Sequence, residues 1–115
     1  MPSAFRACSA PITQTALAGC EAPSDKPGNF GHCDFVGQNL SNQELDCLVF
    51  TGADFSGADL SNSDLSYAVL SGANLAGANL TNANLTGADL ANANLLGANL
   101  TGTTIVNANL REANQ

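Results

Sequence analysis

The chain has 115 residues, enough for one domain, and its 10 acidic residues against 3 basic ones give a net charge of -7. Duplex DNA and anionic membranes repel so acidic a chain, and no apolar run approaches the roughly 18 residues that a membrane span needs. The cations are Arg6, Lys26 and Arg111, so residues 27–110 carry none. We therefore expect no direct nucleic acid binding and no transmembrane segment.

Residues 1–28 differ in kind from the rest, because they hold all four prolines and lack the repeat described below. They are predicted to be a short non-repeat N-terminal cap that covers the exposed edge of the domain that follows. The four cysteines are an even number, which permits disulfides without requiring them. Within the cap, Cys8 and Cys20 are the predicted disulfide pair.

Residues 17–20, Leu-Ala-Gly-Cys, offer a second interpretation of this segment. They are similar to a bacterial lipobox, in which the cysteine is lipidated after signal cleavage. The stretch before them includes Pro11 and three polar residues from Thr13 to Thr15, which is too polar for a good signal peptide. An exported lipoprotein scaffold is therefore kept only as an alternative.

From Phe30 onward, every fifth residue is large and apolar without interruption. The residue two places earlier is small in most repeats, and Asp or Asn usually stands directly before the large residue. Mostly Ser, Thr or Ala follows, and then usually Gly or Asn. The large residues are the predicted structural core, and they are Phe30, Phe35, Leu40, Leu45, Phe50, Phe55, Leu60, Leu65, Leu70, Leu75, Leu80, Leu85, Leu90, Leu95, Leu100, Ile105 and Leu110.

A period of five fits neither a helix nor a single strand. In a helix, successive large residues would rotate by about 140° and form no stripe, and in one strand they would alternate between opposite faces. The Gly or Asn of each repeat supplies a turn, because these residues tolerate a positive φ. Four such sides would close a square coil of about twenty residues, with coils stacked about 4.8 Å apart. About seventeen repeats predict about four coils, with Phe30 beneath Phe50 and Phe35 beneath Phe55.

Two stretches depart from the repeat. Gln38, Gln43 and Leu48 occupy inward positions that are small elsewhere, which predicts a wider or distorted first coil. The other departure is on the outer surface. Val49 and Val69, twenty residues apart, stand where Asp or Asn is usual and should stack on one outer face, and Cys47 and Tyr67 should stack on the adjoining corner. This candidate contact patch, with tolerated surface variation as its alternative, consists of Cys47, Val49, Tyr67 and Val69.

No set of residues stands out as catalytic. His32 and Cys33 are a candidate catalytic pair, but neighbours in a strand point apart and Cys33 occupies an inward slot. His32 with Cys20 or Cys47 is a candidate zinc site, although the cysteine spacings match no zinc motif. Asp34 over Asp54 and Glu44 over Asp64 would place like charges one coil apart, where water screens them by default. We therefore predict no catalytic residue, no metal site, no cofactor and no enzyme activity.

Residues 72–95, GANLAGANLTNANLTGADLANANL, resemble the pentapeptide-repeat family almost without fault. The family pattern is a small residue, Asp or Asn, Leu or Phe, a small polar residue, and often Gly. The resemblance covers about three-quarters of the chain and assigns residues 29–115 to one repeat domain. It implies an all-β, right-handed quadrilateral β-helix, in agreement with the square coil inferred above.

The resemblance also frames the function. Most family members look like structural or interaction modules with no known activity, so we expect a non-catalytic module that binds an unidentified protein partner. The alternative is a DNA-mimicking protein that binds gyrase or another topoisomerase, which absence of inhibition in a supercoiling assay at micromolar protein would dismiss. Gyrase-protecting members dimerise through their C-terminal ends, which implies a homodimer through the uncapped C-terminal coil. Cytoplasmic and exported locations both remain open.

Overall fold

The computed structural model describes residues 28–115. The predicted cap therefore lies outside the described residues except for Gly28, as do the Cys8–Cys20 pairing and the lipobox. In the described part of the chain, no helix is long and apolar enough to cross a membrane.

Residues 28–115 contain neither helix nor continuous strand, and isolated parallel β-bridges take their place. Each bridge joins residues twenty apart, and one begins at every fifth residue from Asn29↔Val49 to Asn94↔Asn114. Twenty residues therefore make one full coil, as the period of five predicts when each coil has four sides. We name these sides by the residues that recur on them: face A (33–35, 53–55, 73–75, 93–95, 113–115), face B (38–40, 58–60, 78–80, 98–100), face C (43–45, 63–65, 83–85, 103–105) and face D (28–30, 48–50, 68–70, 88–90, 108–110).

Every corner between two faces turns at a residue in left-handed backbone conformation. From residue 32 to residue 112, each fifth residue has a φ between 59° and 74°. Glycine and asparagine hold thirteen of these seventeen positions, because they tolerate this conformation best. The other four are His32, Cys47, Tyr67 and Glu112.

Backbone hydrogen bonds join each coil to the next at every side. On face D, the N–H of Leu70 donates to the carbonyl of Asp89 at 2.7 Å, and the N–H of Asp89 donates to the carbonyl of Ala68 at 2.9 Å. At the following corner, the N–H of Gly72 donates to the carbonyl of Ala91 at 2.8 Å. The backbone groups between successive coils are thus hydrogen-bonded although no long strand is present.

The large apolar residues fill the axis from Phe30 to Leu95, none of them more than 6% exposed. The alanines two places earlier also point inward, and those from Ala53 to Ala93 are buried. The last coil differs from the sequence expectation. Leu100 and Leu110 pack only partly buried against the core, and Ile105 is 47% exposed. These three were expected inside, but the described chain places no further coil over them.

The four phenylalanines of the core form one aromatic cluster at the start of the repeats. Phe30 stacks beneath Phe50 with ring centroids 5.8 Å apart, and Phe35 stacks beneath Phe55 at 4.9 Å. Phe50 also meets Phe55 edge to face at 5.1 Å. The two predicted stacks are present, and leucine replaces phenylalanine in the later coils.

Three turns near the start of the repeats differ from the later ones. The turn bonds donated by the N–H groups of Cys33 and Leu48 measure 3.3 and 3.4 Å, against 2.9 Å for that of Ala83. The N–H of Gln43 donates instead to the hydroxyl of Ser63 in the next coil, at 3.3 Å. The hydroxyl of Ser63 in turn donates to the carbonyl of Leu40 at 2.6 Å, which is where the turn bond of Gln43 would end. The turn bond of Gln38 measures 3.1 Å, the same as that of Ala68, so a large inward side chain alone does not lengthen the turn.

Candidate interaction surface

The polar residues of the repeat build the corners as well as facing water. The Oδ1 atom of the Asp or Asn before each large residue accepts a hydrogen bond from the N–H two residues later. Asp59, for example, accepts from the N–H of Ser61 at 3.0 Å and from its hydroxyl at 2.6 Å. The hydroxyl bond first, and the backbone bond second, lower the pKa of Asp59 below its usual value. This capping role explains why Asp or Asn precedes the large residue and Ser or Thr so often follows it.

Two valines on face D break this rule. Val49 and Val69 occupy the capping position, bridge to each other across one coil, and are half-buried. A valine side chain has no acceptor, so it cannot cap the turn that follows it. Asp89 resumes the pattern in the next coil, where its Oδ1 accepts from the N–H of Ala91 at 3.1 Å.

Tyr67 holds the corner between faces C and D, although Gly or Asn holds most corners. Its φ is 59°, a conformation that is uncommon for a bulky aromatic residue. Its side chain is 51% exposed, and its ring leans over Gly87 in the next coil, where any Cβ would collide with it. Cys47 holds the same corner one coil below.

The coil register thus brings together all four residues of the predicted contact patch. Cys47 and Tyr67 lie on one corner, and Val49 and Val69 lie on the adjoining face D. We call this surface, which extends over two successive coils, the C/D patch; it consists of Cys47, Val49, Tyr67 and Val69. That these residues bind a partner stays a prediction.

His32, Cys33 and Cys47 were the candidates for a catalytic pair or a zinc site. Cys33 and Cys47 are both disulfide-bonded, so neither sulfur is a thiolate that could act as nucleophile or metal ligand. His32 is exposed and leans over Gly52, where an added Cβ would stand 2.6 Å from the imidazole ring. Among residues 28–115, no group of three or more His, Cys, Asp or Glu is arranged to hold a metal ion.

The acidic residues lie mainly on the first two coils. The bridges place Asp34 beneath Asp54 and Glu44 beneath Asp64, as expected from the register. The Oδ1 atoms of Asp34, Asp54 and Asp64 each cap a turn, at 2.9 to 3.0 Å from the N–H two residues later. In the coils above, asparagine mostly replaces aspartate on faces A, B and C.

The last coil presents a different, apolar surface. Leu96, Ile105 and Val106 are 50%, 47% and 58% exposed, respectively. Its edge also carries backbone N–H groups whose counterparts in earlier coils donate to the next coil. The homodimer through this coil, expected from the family resemblance, stays a prediction.

Comparison with known proteins agrees with this geometry. Residues 29–62, 44–82, 53–90 and 78–114 match the family model for pentapeptide repeats, in 8 copies. A search of curated proteins returned no match. Among solved structures, HetL, a pentapeptide repeat protein involved in heterocyst differentiation regulation in the cyanobacterium Nostoc sp. strain PCC 7120, is similar with a TM-score of 0.70 and 37% identity over 74% of this chain and 39% of HetL.

A second similar structure is Rfr23, a pentapeptide repeat protein of the cyanobacterium Cyanothece 51142. It has a TM-score of 0.58 and 36% identity over 77% of this chain and 65% of Rfr23. The present chain therefore spans about two-fifths of HetL and just under two-thirds of Rfr23. The chain belongs to the pentapeptide-repeat family. Proteins of this family form right-handed quadrilateral β-helices.

Proposed function

We propose that this protein is a non-catalytic interaction module, a stiff β-helix that binds a protein partner through the C/D patch. The observation that supports this most is that Tyr67 and Val69, which lie close together, both depart from local rules that most of the repeat obeys. Tyr67 stands where the backbone favours Gly or Asn, and Val69 stands where Asp or Asn would cap a turn. Departures from local consistency that carry a stability cost are expected at functional sites.

The chemistry of the C/D patch suits a protein partner. A half-exposed tyrosine beside half-buried valines offers a large apolar area with one hydroxyl at its edge. Tyrosine is enriched among the residues that dominate protein–protein affinity. Most of the remaining outer positions carry small polar side chains, which are poor anchors for a partner.

The gyrase-binding alternative gains less from the structure. A duplex mimic needs carboxylates along its length, whereas the paired acids lie on the first two coils and asparagine mostly replaces them above. The C/D patch itself carries no carboxylate. We therefore favour a partner recognised through apolar and aromatic contact.

Photo-crosslinking in the native host tests this proposal. A photoreactive phenylalanine analogue replaces Tyr67 in one variant and Asn62 in a matched control, since Asn62 holds the same turn position in the same coil at the corner between faces B and C. We expect one defined crosslinked adduct from position 67 and none from position 62. Equal labelling from both positions would contradict the proposal.

The Val69→Asn substitution separates binding from folding. Asparagine restores the missing cap, and its hydrogen bond contributes about 1 kcal/mol, which offsets the loss of half-buried valine surface. We therefore expect a melting temperature within a few degrees of the parent protein, together with loss of the adduct from position 67. An adduct of unchanged intensity would remove Val69 from the binding surface.

A further inference from the structure

The oxidation state of two cysteines in the first coil has a consequence for the whole chain. Cys33 and Cys47 are each disulfide-bonded. The chain has four cysteines, and the other two, Cys8 and Cys20, precede the described residues. Either Cys33 and Cys47 bond to each other, or each bonds to a cysteine elsewhere.

The coil geometry keeps Cys33 and Cys47 apart. Cys33 begins face A, directly below Ala53, and its carbonyl accepts from the N–H of Asp54 at 2.9 Å. Cys47 turns the corner between faces C and D with a φ of 66°. Face D and the next corner separate Cys47 from the start of face A. Three extended residues alone span about 10 Å, whereas the Cα atoms of a disulfide lie within about 7 Å of each other.

We propose that Cys33 and Cys47 bond one each to Cys8 and Cys20, so that two disulfides fasten the N-terminal segment to the first coil at two separate points of its circumference.

Fastening at these points would protect an open edge. Within the described residues, the N–H groups of Asp34, Asn39 and Glu44 meet no coil below them, although the equivalent groups in later coils donate downward. An uncovered edge of this kind invites pairing with other chains. Two covalent attachments to the first coil would keep the segment within reach of this edge.

The chemistry needs only a small-molecule disulfide such as oxidised glutathione. For each bond, one cysteine thiolate displaces a glutathione thiolate to give a mixed disulfide, and the second cysteine displaces the other glutathione. The two cysteine thiols lose two electrons and two protons, and two molecules of reduced glutathione leave. Such bonds persist in oxidising compartments, so the protein and its partner are placed outside a reducing cytosol.

Peptide mapping without reduction tests the pairing directly. Glutamates occur only at positions 21, 44 and 112, so cleavage after glutamate separates residues 1–21, 22–44 and 45–112. The full chain is first treated with N-ethylmaleimide, confirmed as a monomer by intact mass, and digested in urea at mildly acidic pH. We expect the three peptides in one species that separates on reduction. Any digest in which residues 1–21 are not joined to both other peptides overturns the proposal.

The Cys8→Ser/Cys20→Ser double variant gives an independent readout. If Cys33 and Cys47 have lost their partners, the denatured monomer takes up two N-ethylmaleimide groups without reduction, whereas the parent protein takes up none. A double variant monomer that takes up none would show that Cys33 and Cys47 bond to each other, and the proposal would be wrong. The variant is first shown by circular dichroism to keep the fold of the parent protein, because only the folded coil keeps Cys33 and Cys47 from bonding to each other.

Discussion

The Leu85→Asp variant is expected to lose on the order of 4 to 5 kcal/mol of folding free energy, the larger of the two strongest effects that the structure predicts. Leu85 lies on the axis of face C and is 1% exposed. Removing its side chain forfeits about 1.5–3 kcal/mol of burial, and an unpaired carboxylate in the leucine ladder adds a further penalty. A change of that size is a large fraction of the 5–15 kcal/mol that typically stabilises a domain.

Ile105→Asp is the matched control for this variant. Ile105 holds the same position on the same face one coil later, but it is 47% exposed. The introduced carboxylate remains in contact with water there, so we expect a loss of about 1 kcal/mol or less. Urea unfolding followed by circular dichroism measures both variants. Equal losses would contradict the assignment of Leu85 to the buried axis and of Ile105 to an exposed position.

Ala83→Phe is expected to destabilise the protein by about 3 kcal/mol through overpacking. Ala83 is fully buried, and it points toward the axis beside Leu80 and Leu85, which are no more than 1% exposed. A phenyl ring fits only if neighbouring leucines leave their preferred rotamers or the coil widens. Thermal unfolding of the variant, compared with the parent protein, measures the loss.

Ala83→Ser is the corresponding conservative change. Ser63 occupies the same slot one coil below and donates its hydroxyl to the carbonyl of Leu40 at 2.6 Å, and Thr103 one coil above donates to Leu80 at 2.6 Å. By the same register, the introduced hydroxyl would donate to the carbonyl of Leu60. We expect a change within about 1 kcal/mol. A serine variant as unstable as the phenylalanine variant would show that position 83 does not share this geometry.

Much of the architecture was predictable because the constraint is periodic. An apolar residue at every fifth place cannot line a helix or a single strand, so a turn in each repeat and stacked phenylalanines followed from the sequence. Exposure at the end was harder to predict, because Ile105 continues the pattern and only the stacking of coils decides whether a position is covered. Irregular turns in the first coil were expected from Gln38 and Leu48, but the turn bond of Gln38 is ordinary and the long ones are those of Cys33 and Leu48.

The corners were predicted only in part. Tyr67 holds the same left-handed conformation as the glycines of the other corners, but residue type alone does not reveal it, because position in the repeat overrides intrinsic preference. The capping bonds of Asp and Asn were also missed at the sequence level, although the recurring Ser or Thr two residues later was their signal. The C/D patch was recognised by departures from the repeat, whereas the oxidation of Cys33 and Cys47 required the structure.

The twenty-residue register is the central claim, and an engineered metal bridge tests it most directly. Asn79 and Asn99 bridge each other on face B, so histidines at both positions would lie about 4.8 Å apart and could chelate Ni²⁺. The matched control is Asn79→His/Asn94→His, in which position 94 lies on face A. Both pairs lose two turn caps, so each variant is compared with itself without metal.

Ni²⁺ at about one hundred times its dissociation constant stabilises a protein by about 2.7 kcal/mol, provided that the site exists only when folded. At roughly 4 °C or more for each kcal/mol in a domain of this size, the Asn79→His/Asn99→His variant should melt about 10 °C higher with metal. The Asn79→His/Asn94→His variant should change little. Equal shifts, or a larger shift in the second variant, would contradict a coil of twenty residues.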